Sequence, residues 1–238
     1  MLHPVKGIVL RCVRYGDTSV ITKVYTDKFG VQSYLINGVR AAKSRSRQAL
    51  LQPLTLLNMV VYHREHKNLQ RVREMSFDHV FSHVPFNITR SSVAMFVTEV
   101  LNKTLKEEAA NPDLFQFLHE AILNLDSDDF APDFHVYFLA RLSQLLGFAP
   151  ANHWSAGHRF FDLEGGNFVE EEPVHYHVVE TEDARAFSIL FRQQQVEHEA
   201  FSKAQRLRLL DDLLLFYRLH IEGFGKLKSY KVLQAILN

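Results

Sequence analysis

The chain has one cysteine, Cys12. A single thiol cannot close an internal disulfide, and it excludes a cysteine-rich zinc site. A reducing cytoplasm is therefore the expected location. No apolar run reaches 18 residues, so no transmembrane helix is expected. The opening Met1-Leu2-His3-Pro4-Val5-Lys6 lacks the charged region, apolar stretch and small-residue cleavage site of a signal peptide. A Gly-rich phosphate loop, a helical His-Glu-x-x-His and a Ser/His/Asp frame are all missing, so nothing in the sequence points to an enzyme.

Net charge is missing too: 27 Lys and Arg face 27 Asp and Glu. That balance hides a split. Residues 1–80 hold 13 cations and 5 carboxylates, a net of +8, and residues 81–238 hold 14 and 22, a net of −8. A basic segment of this size is the electrostatic footprint expected for a polyanion, of which nucleic acid is the commonest. The plainer alternatives are scattered surface charge or docking on an acidic protein.

The first 80 residues read as β. Apolar or alternating runs occur at Gly7–Leu10, Ser19–Thr26, Val31–Val39, Leu54–Tyr62 and Leu69–Phe77. Gly16-Asp17, Lys28-Phe29-Gly30 and Asn37-Gly38 supply turn chemistry between them. Five short strands in about 80 residues suggest a small barrel, most simply an OB-fold. Cys12 reads as a small buried hydrophobe in the first run.

Beyond residue 85 the period becomes helical. Val93, Phe96, Val97, Val100, Leu101 and Leu105 follow i, i+3, i+4, i+7 spacing. Asn111-Pro112 is a helix start, with Asn as N-cap and Pro in the first turn. A third helix is expected from Phe134 to Leu146, closed by Gly147. Ser202 to Gln205 is a capping box opening a helix to about Ile221, and a last helix runs from about Ser229 to Leu237. Residues 150–180 differ, with Pro, Gly and four histidines, and Phe160–Val169 looks like a small hairpin around Glu-Gly-Gly-Asn. The expected architecture is α+β: a five-stranded OB-fold barrel over 1–80, then a mainly α-helical domain over 81–238 with a small hairpin insertion near 150–180.

The densest basic element is Arg40-Ala41-Ala42-Lys43-Ser44-Arg45-Ser46-Arg47, four cations spaced by small residues after a strand ending in Asn-Gly. It reads as a projecting, mobile loop suited to tracking phosphates. Arg64, Lys67, Arg71 and Arg73 flank the turn between the fourth and fifth strands, and Arg11 and Arg14 extend the first. Arg71 and Arg73, two apart on a strand, share one face. Single-strand binders add aromatic faces on which bases stack. Tyr15, Phe29 and Tyr34 are the candidates, Tyr15 foremost because it adjoins Arg14 at a strand end; the competing role for each is core packing.

Two other clusters invite chemistry. Asp126, Asp128, Asp129 and Asp133 resemble a magnesium site only superficially, because they follow one another in a single stretch. A solvated interhelical loop with a capping Asp accounts for them. His153, His158, His175 and His177 bracket the hairpin at spacings of five and two, but without cysteine only histidine and carboxylate ligands are on offer. Surface or half-buried histidines are the simpler reading, and no metal or cofactor is expected.

Several segments together resemble the bacterial RecO family of recombination mediators. They are Gly7-Ile8-Val9-Leu10-Arg11, Tyr15-Gly16-Asp17-Thr18-Ser19, Thr26 with Gly30, Asn37-Gly38-Val39-Arg40 with Ser44, Leu51-Gln52-Pro53-Leu54, and Leu69 through Arg73-Glu74. The second half adds Asp113–Leu118, Phe138 to Leu146-Gly147-Phe148-Ala149-Pro150, and Lys226-Leu227-Lys228-Ser229. The resemblance spans nearly the whole chain in order. It implies an N-terminal OB-fold and a helical C-terminal domain, binding of single- and double-stranded DNA, and annealing of complementary strands. It also implies loading of recombinase onto strands coated by single-strand-binding protein, with RecR as partner. Many members carry a four-cysteine zinc element after the helix that here ends at Gly147-Phe148, whereas Ala151–His158 contains no cysteine. Trp154, Phe160, Phe161 and Phe168 are expected to hold that hairpin by packing instead.

The resulting expectation is a non-catalytic DNA repair mediator, cytoplasmic and nucleoid-associated during repair, with no membrane partner. The barrel neutralises phosphates and the helical half docks proteins. The acidic C-terminal tail of single-strand-binding protein, ending in an apolar residue, would need an apolar slot rimmed by cations. Phe138, Arg141 and Leu142, with Lys226 and Lys228, are the candidates. Two alternatives stand beside this reading: an RNA-binding OB module, and a protein adaptor with a basic docking face.

Overall fold

A computed structural model describes residues 1–39, 45–106, 109–151, 154–155, 157–192 and 201–237. The chain divides into two compact units, Met1–Asp129 and Phe130–Asn238, each described by itself. The change from β to helical pattern at 80/81 therefore falls inside the first unit.

The first unit is built on five strands: β1 (Leu2–Tyr15), β2 (Ser19–Thr26), β3 (Gly30–Ile36), β4 (Leu56–Tyr62) and β5 (Gln70–Phe77). They close into a barrel in the order β1-β2-β3-β5-β4. All neighbours are antiparallel except β3 and β5. This is the OB-fold the strand count suggests. Closure depends on β1, which is 14 residues long where the sequence pattern marks only a short run. Leu2–Ile8 pair with β4 and Gly7–Tyr15 pair with β2, with an irregularity between Val9 and Arg11. The bulge bends the strand so that one segment serves two neighbours. Gly7 sits at the handover, where a Cβ would stand 2.6 Å from Val24 Cγ1, so the two strands approach only over a glycine.

Val5, Val9, Val20, Val24, Tyr34, Ile36, Leu57, Met59 and Val61 fill the barrel. A short helix, α1 (Arg45–Ala49), delivers Leu50 and Leu51 into the same core. Helices α2 (Ile88–Thr104) and α3 (Pro112–Leu125) complete the unit. Asn87 caps α2 by accepting from Arg90 N, and Asn111 caps α3 by accepting from Leu114 N, with Pro112 in the first turn. Polar latches join these helices to the barrel. Asn102 Nδ2 donates to Leu10 O at 2.9 Å, and Asp78 receives His119 Nε2 at 2.6 Å and Lys6 Nζ at 3.2 Å.

The second unit contains α4 (Phe134–Leu145), β6 (Phe160–Asp162), β7 (Asn167–Val169), β8 (Val178–Glu180), α5 (Thr181–Arg192), α6 (Lys203–His220) and α7 (Ser229–Leu237). The sheet order is β7-β6-β8. The expected hairpin is present as β6 and β7, turning on Asp162, whose Oδ1 accepts from Glu164 N and Gly165 N. Phe161 is fully buried against Phe168, Phe187 and Phe216, at ring distances of 4.7, 4.6 and 6.1 Å. Aromatic packing thus holds the hairpin to α5 and α6. Phe160 and Trp154 are only half-buried. Ser202 and Gln205 form the expected capping box at the start of α6. The sequence reading has no counterpart for α1, β8 or α5.

Candidate nucleic-acid interface

Strand order brings together cations that are far apart in sequence. A groove of about 600 Å³ opens beside α1, the end of β3 and β5. Its apolar lining includes Leu35, Ile36, Leu50 and Val72; Arg47 comes from α1, Arg71 and Arg73 from β5, and Tyr62 from β4. All four of these larger side chains are exposed. Leu35 faces Arg71 across the parallel β3–β5 pair, and Arg71 faces Tyr62 across β5–β4, so the three lie in one row on the barrel's outer face. Arg73 reaches the groove by a different route. Val60 faces Glu74 and Val61 faces Val72, leaving Arg73 as the extra residue of a bulge. A bulge redirects the side chain it carries, so the simple alternation expected of Arg71 and Arg73 is broken although both line the groove. Arg73 Nε also meets Glu74 Oε1 at 3.1 Å, an exposed pair worth little to stability.

The β4–β5 loop is set by one buried amide. Gln70 Oε1 accepts from Arg64 N at 3.0 Å, and its Nε2 donates to Arg64 O and Lys67 O at 2.8 and 2.7 Å. Arg64 and Lys67 are thereby held on a defined turn with their side chains exposed.

On the other flank, Arg11 is the direct cross-strand partner of Lys23. Like charges placed opposite each other cost up to about 1 kcal/mol, a cost that a phosphate between them removes. The sequence reading overlooks Lys23. Tyr15, 52% exposed, pairs with Ser19, and Ser19 Oγ donates to Asn37 Oδ1 at 3.1 Å on the groove's edge. Arg14 is exposed but pairs with buried Val20, so it stands on the opposite face of β1 from Tyr15.

Several expectations change. Tyr34 is completely buried and belongs to the barrel core. Phe29 is half-buried and its ring stacks on His63 at 3.8 Å, so its face is taken by the protein itself. Tyr62 takes their place in the groove. It ends an apolar run and looks like core in sequence; only the pairing register reveals that it faces outward. Of the basic loop, Arg40 and Lys43 lie outside the described residues. Arg45 opens α1, and Arg47 is helical rather than part of an irregular loop. Arg47 Nη1 lies over Gly38, 3.7 Å from where a Cβ would be.

The acidic stretch is not a solvated loop throughout. Asp126 is buried and accepts from Ser82 N, His83 N and Val84 N at 2.8–2.9 Å and from His79 Nε2 at 2.8 Å. Burial alone would raise its pKa, but these donors outweigh burial and hold the carboxyl well below the usual range. Asp133, at the start of α4, is also buried and pairs with Arg206 at 3.2 Å. Asp128 and Asp129 are exposed.

The histidines are tied to hairpin and loop groups, His175 and His177 both facing Glu164 Oε1, at 3.8 and 2.8 Å. His158 Nδ1 accepts from Ser155 N, His175 Nε2 meets Asp162 Oδ1 at 3.1 Å, and His177 Nδ1 meets Glu164 Oε1 at 2.8 Å; His153 lies outside the described residues. Among the described residues no group of three or more His, Cys, Asp or Glu is disposed to hold a metal ion, and a four-thiolate zinc element needs four cysteines where the sequence has one, Cys12.

In the second unit, Phe138 and Leu142 are 3% and 0% exposed, and Phe138 stacks on Phe134. They form core rather than a slot open to a tail. Arg141, Lys226 and Lys228 do lie at the surface, Arg141 donating to Gln144 Oε1 at 2.9 Å.

Among the described residues no helix is long and apolar enough to cross a membrane. A closed barrel in this strand order, carrying an exposed cationic groove and followed by a helical unit, defines an OB-fold protein with a helical C-terminal half. The comparisons narrow the class. The family model for the N terminal of Recombination protein O matches residues 1–81, and that for its C terminal matches 85–231. Proteins named DNA repair protein RecO from Phocaeicola vulgatus and Bacteroides fragilis are 35% and 32% identical over 241 and 243 residues, each alignment covering the whole of both chains. A third, from Azobacteroides pseudotrichonymphae, is 30% identical over 246 residues, again with both chains fully covered. The chain belongs to the RecO family.

Proposed function

We propose that this protein is a non-catalytic mediator of DNA repair and homologous recombination that binds single- and double-stranded DNA and anneals complementary strands. In the same reading it helps load recombinase onto strands coated by single-strand-binding protein, with RecR as partner. The DNA-binding part is residues 1–80, and residues 81–238 carry protein docking. The observation that supports this best is the convergence of Arg47, Arg71 and Arg73 on one exposed groove, flanked by the Arg11–Lys23 pair. Phosphates neutralised by cations so placed release the counterions condensed on the DNA. Neutralising both strands reduces the repulsion that slows their meeting. Arg64 and Lys67 extend the path; Arg141, Lys226 and Lys228 are the docking cations for an acidic tail.

The test is annealing of two complementary strands labelled as a fluorescence transfer pair and precoated with single-strand-binding protein. The expected result is pairing accelerated by this protein and reduced in the Arg47→Ala/Arg71→Ala/Arg73→Ala form. No acceleration by the wild type would overturn the mediator reading.

A further inference from the structure

We infer that Tyr62 is a stacking platform for an unpaired base, so that the groove discriminates single-stranded from double-stranded DNA. The inference rests on the DNA-binding reading of this face and adds what the groove selects.

The phenol ring is 45% exposed at the end of β4, although it closes a strand whose inward residues are packed into the core. An aromatic side chain left half in water on a barrel face keeps part of its ring free for an apolar partner. Its surroundings suit a nucleotide. Arg71 lies beside it across the strands, Arg47 and Arg73 share the groove, and Leu35 stands beyond Arg71 in the same row. Two inter-strand spacings separate Leu35 from Tyr62, about 10 Å. A cation thus stands between two apolar side chains, an arrangement that holds phosphates while base faces lie on the flanking surface.

Geometry limits which DNA can use the platform. A duplex offers its phosphates to arginines, but its bases are stacked on one another and present only their edges in the grooves. Placing a base on Tyr62 from a duplex requires breaking its pair and its stack. An unpaired strand has no such cost. Stacking engages the π-face, which every base possesses, and leaves the pairing edge unoccupied. A strand held this way stays competent to pair, as annealing demands.

The experiment measures binding of a fluorescein-labelled single strand and of a duplex of equal length to wild type, Tyr62→Ala, Tyr62→Phe and the Arg71→Ala/Arg73→Ala form, after thermal melting has established that each is folded. A strand carrying 2-aminopurine reports stacking directly. Tyr62→Ala should lose about tenfold in single-strand affinity, within the range for one stacked base, with an unchanged salt slope and little change for the duplex. Tyr62→Phe, which keeps the ring, should bind like wild type, and 2-aminopurine quenching should vanish only in Tyr62→Ala. Equal losses for single strand and duplex, or no loss for either while the double arginine variant weakens both, would overturn the platform and leave the DNA-binding face standing. If neither Tyr62 nor the arginines affect binding, the reading of this face fails with it.

Discussion

The barrel unit and the helical unit use their charged groups differently. In the helical unit, Arg206 pairs with buried Asp133 and donates to Phe201 O at 2.7 Å, and Arg208 clasps Asp183 through two contacts of 2.5 and 3.0 Å. In the barrel, Arg47 and Arg71 line a groove in solvent, and Arg11 stands against another cation. A cation matched within the chain supports the fold, whereas one placed beside like charge raises the local potential and attracts an external anion. The near-zero net charge of the whole conceals this contrast between particular cations, although the barrel unit also pairs Lys6 with Asp78 and Arg73 with Glu74, and Arg141, Lys226 and Lys228 of the helical unit lie at the surface.

Changes in the helical unit should therefore appear as lost stability, and changes in the groove as lost affinity. The largest effect is expected from Phe161→Ala, about 3–5 kcal/mol for removal of a fully buried aromatic, read from urea unfolding. A fully stable variant with weakened DNA binding would break the contrast.

The barrel unit has its own structural carboxylate, and Asp126→Ala should cost about 2–3 kcal/mol by stranding backbone donors of residues 82–84. Because its folded pKa is depressed below the unfolded value near 4, its contribution is present above that pH and lost as pH falls below it. Across pH 3–7 the gap in unfolding free energy between wild type and variant should be constant down to about pH 5 and then narrow toward pH 3 without closing, because the folded carboxyl titrates lower still; a gap that stays constant to pH 3 would contradict the assignment.

A smaller effect of opposite sign is expected from Asp212→Asn. Burial, then the nearby Asp183 and Asp211, push the Asp212 carboxyl up to about 7. A raised folded pKa means that stability falls as pH rises from about 4 through 7. The variant should thus be more stable than wild type at pH 8, by on the order of 1 kcal/mol, with little difference at pH 4.

How much was legible in the sequence follows from what each element depends on. Helices α2, α3, α4 and α6 carry their own stripe or cap, so local periodicity and Asn111-Pro112 or Ser202–Gln205 suffice. By contrast, β8 has three residues and exists through pairing with β6, and α1 has five and is defined by delivering Leu50 and Leu51 to the barrel. Helix α5 has the right spacing at Ala184, Phe187 and Leu190, but it follows an irregular His-rich stretch without a capping signal of the kind that opens α6. The candidate site, a proposal throughout, divides in the same way. Basic residues were visible because charge survives without structure. Tyr62 and Lys23 were missed because the side of a strand that faces solvent depends on cross-strand register and on the bulges at Val9/Arg11 and Val60/Val61. Phe138 and Leu142 failed as a docking slot because an apolar stripe reads the same whether its own core or a partner covers it.

The most direct measurement is the salt dependence of single-strand binding, by fluorescence anisotropy, in three forms of the full chain: wild type, Arg47→Ala/Arg71→Ala/Arg73→Ala, and Arg141→Ala/Lys226→Ala/Lys228→Ala. Each lost phosphate contact lowers the logarithmic slope by about 0.7 for a single strand. The account predicts a slope shallower by about 2 and weaker binding in the groove variant, with the helical variant matching wild type. Equal losses in both variants, or a loss confined to the helical one, would contradict the placement of DNA on the barrel.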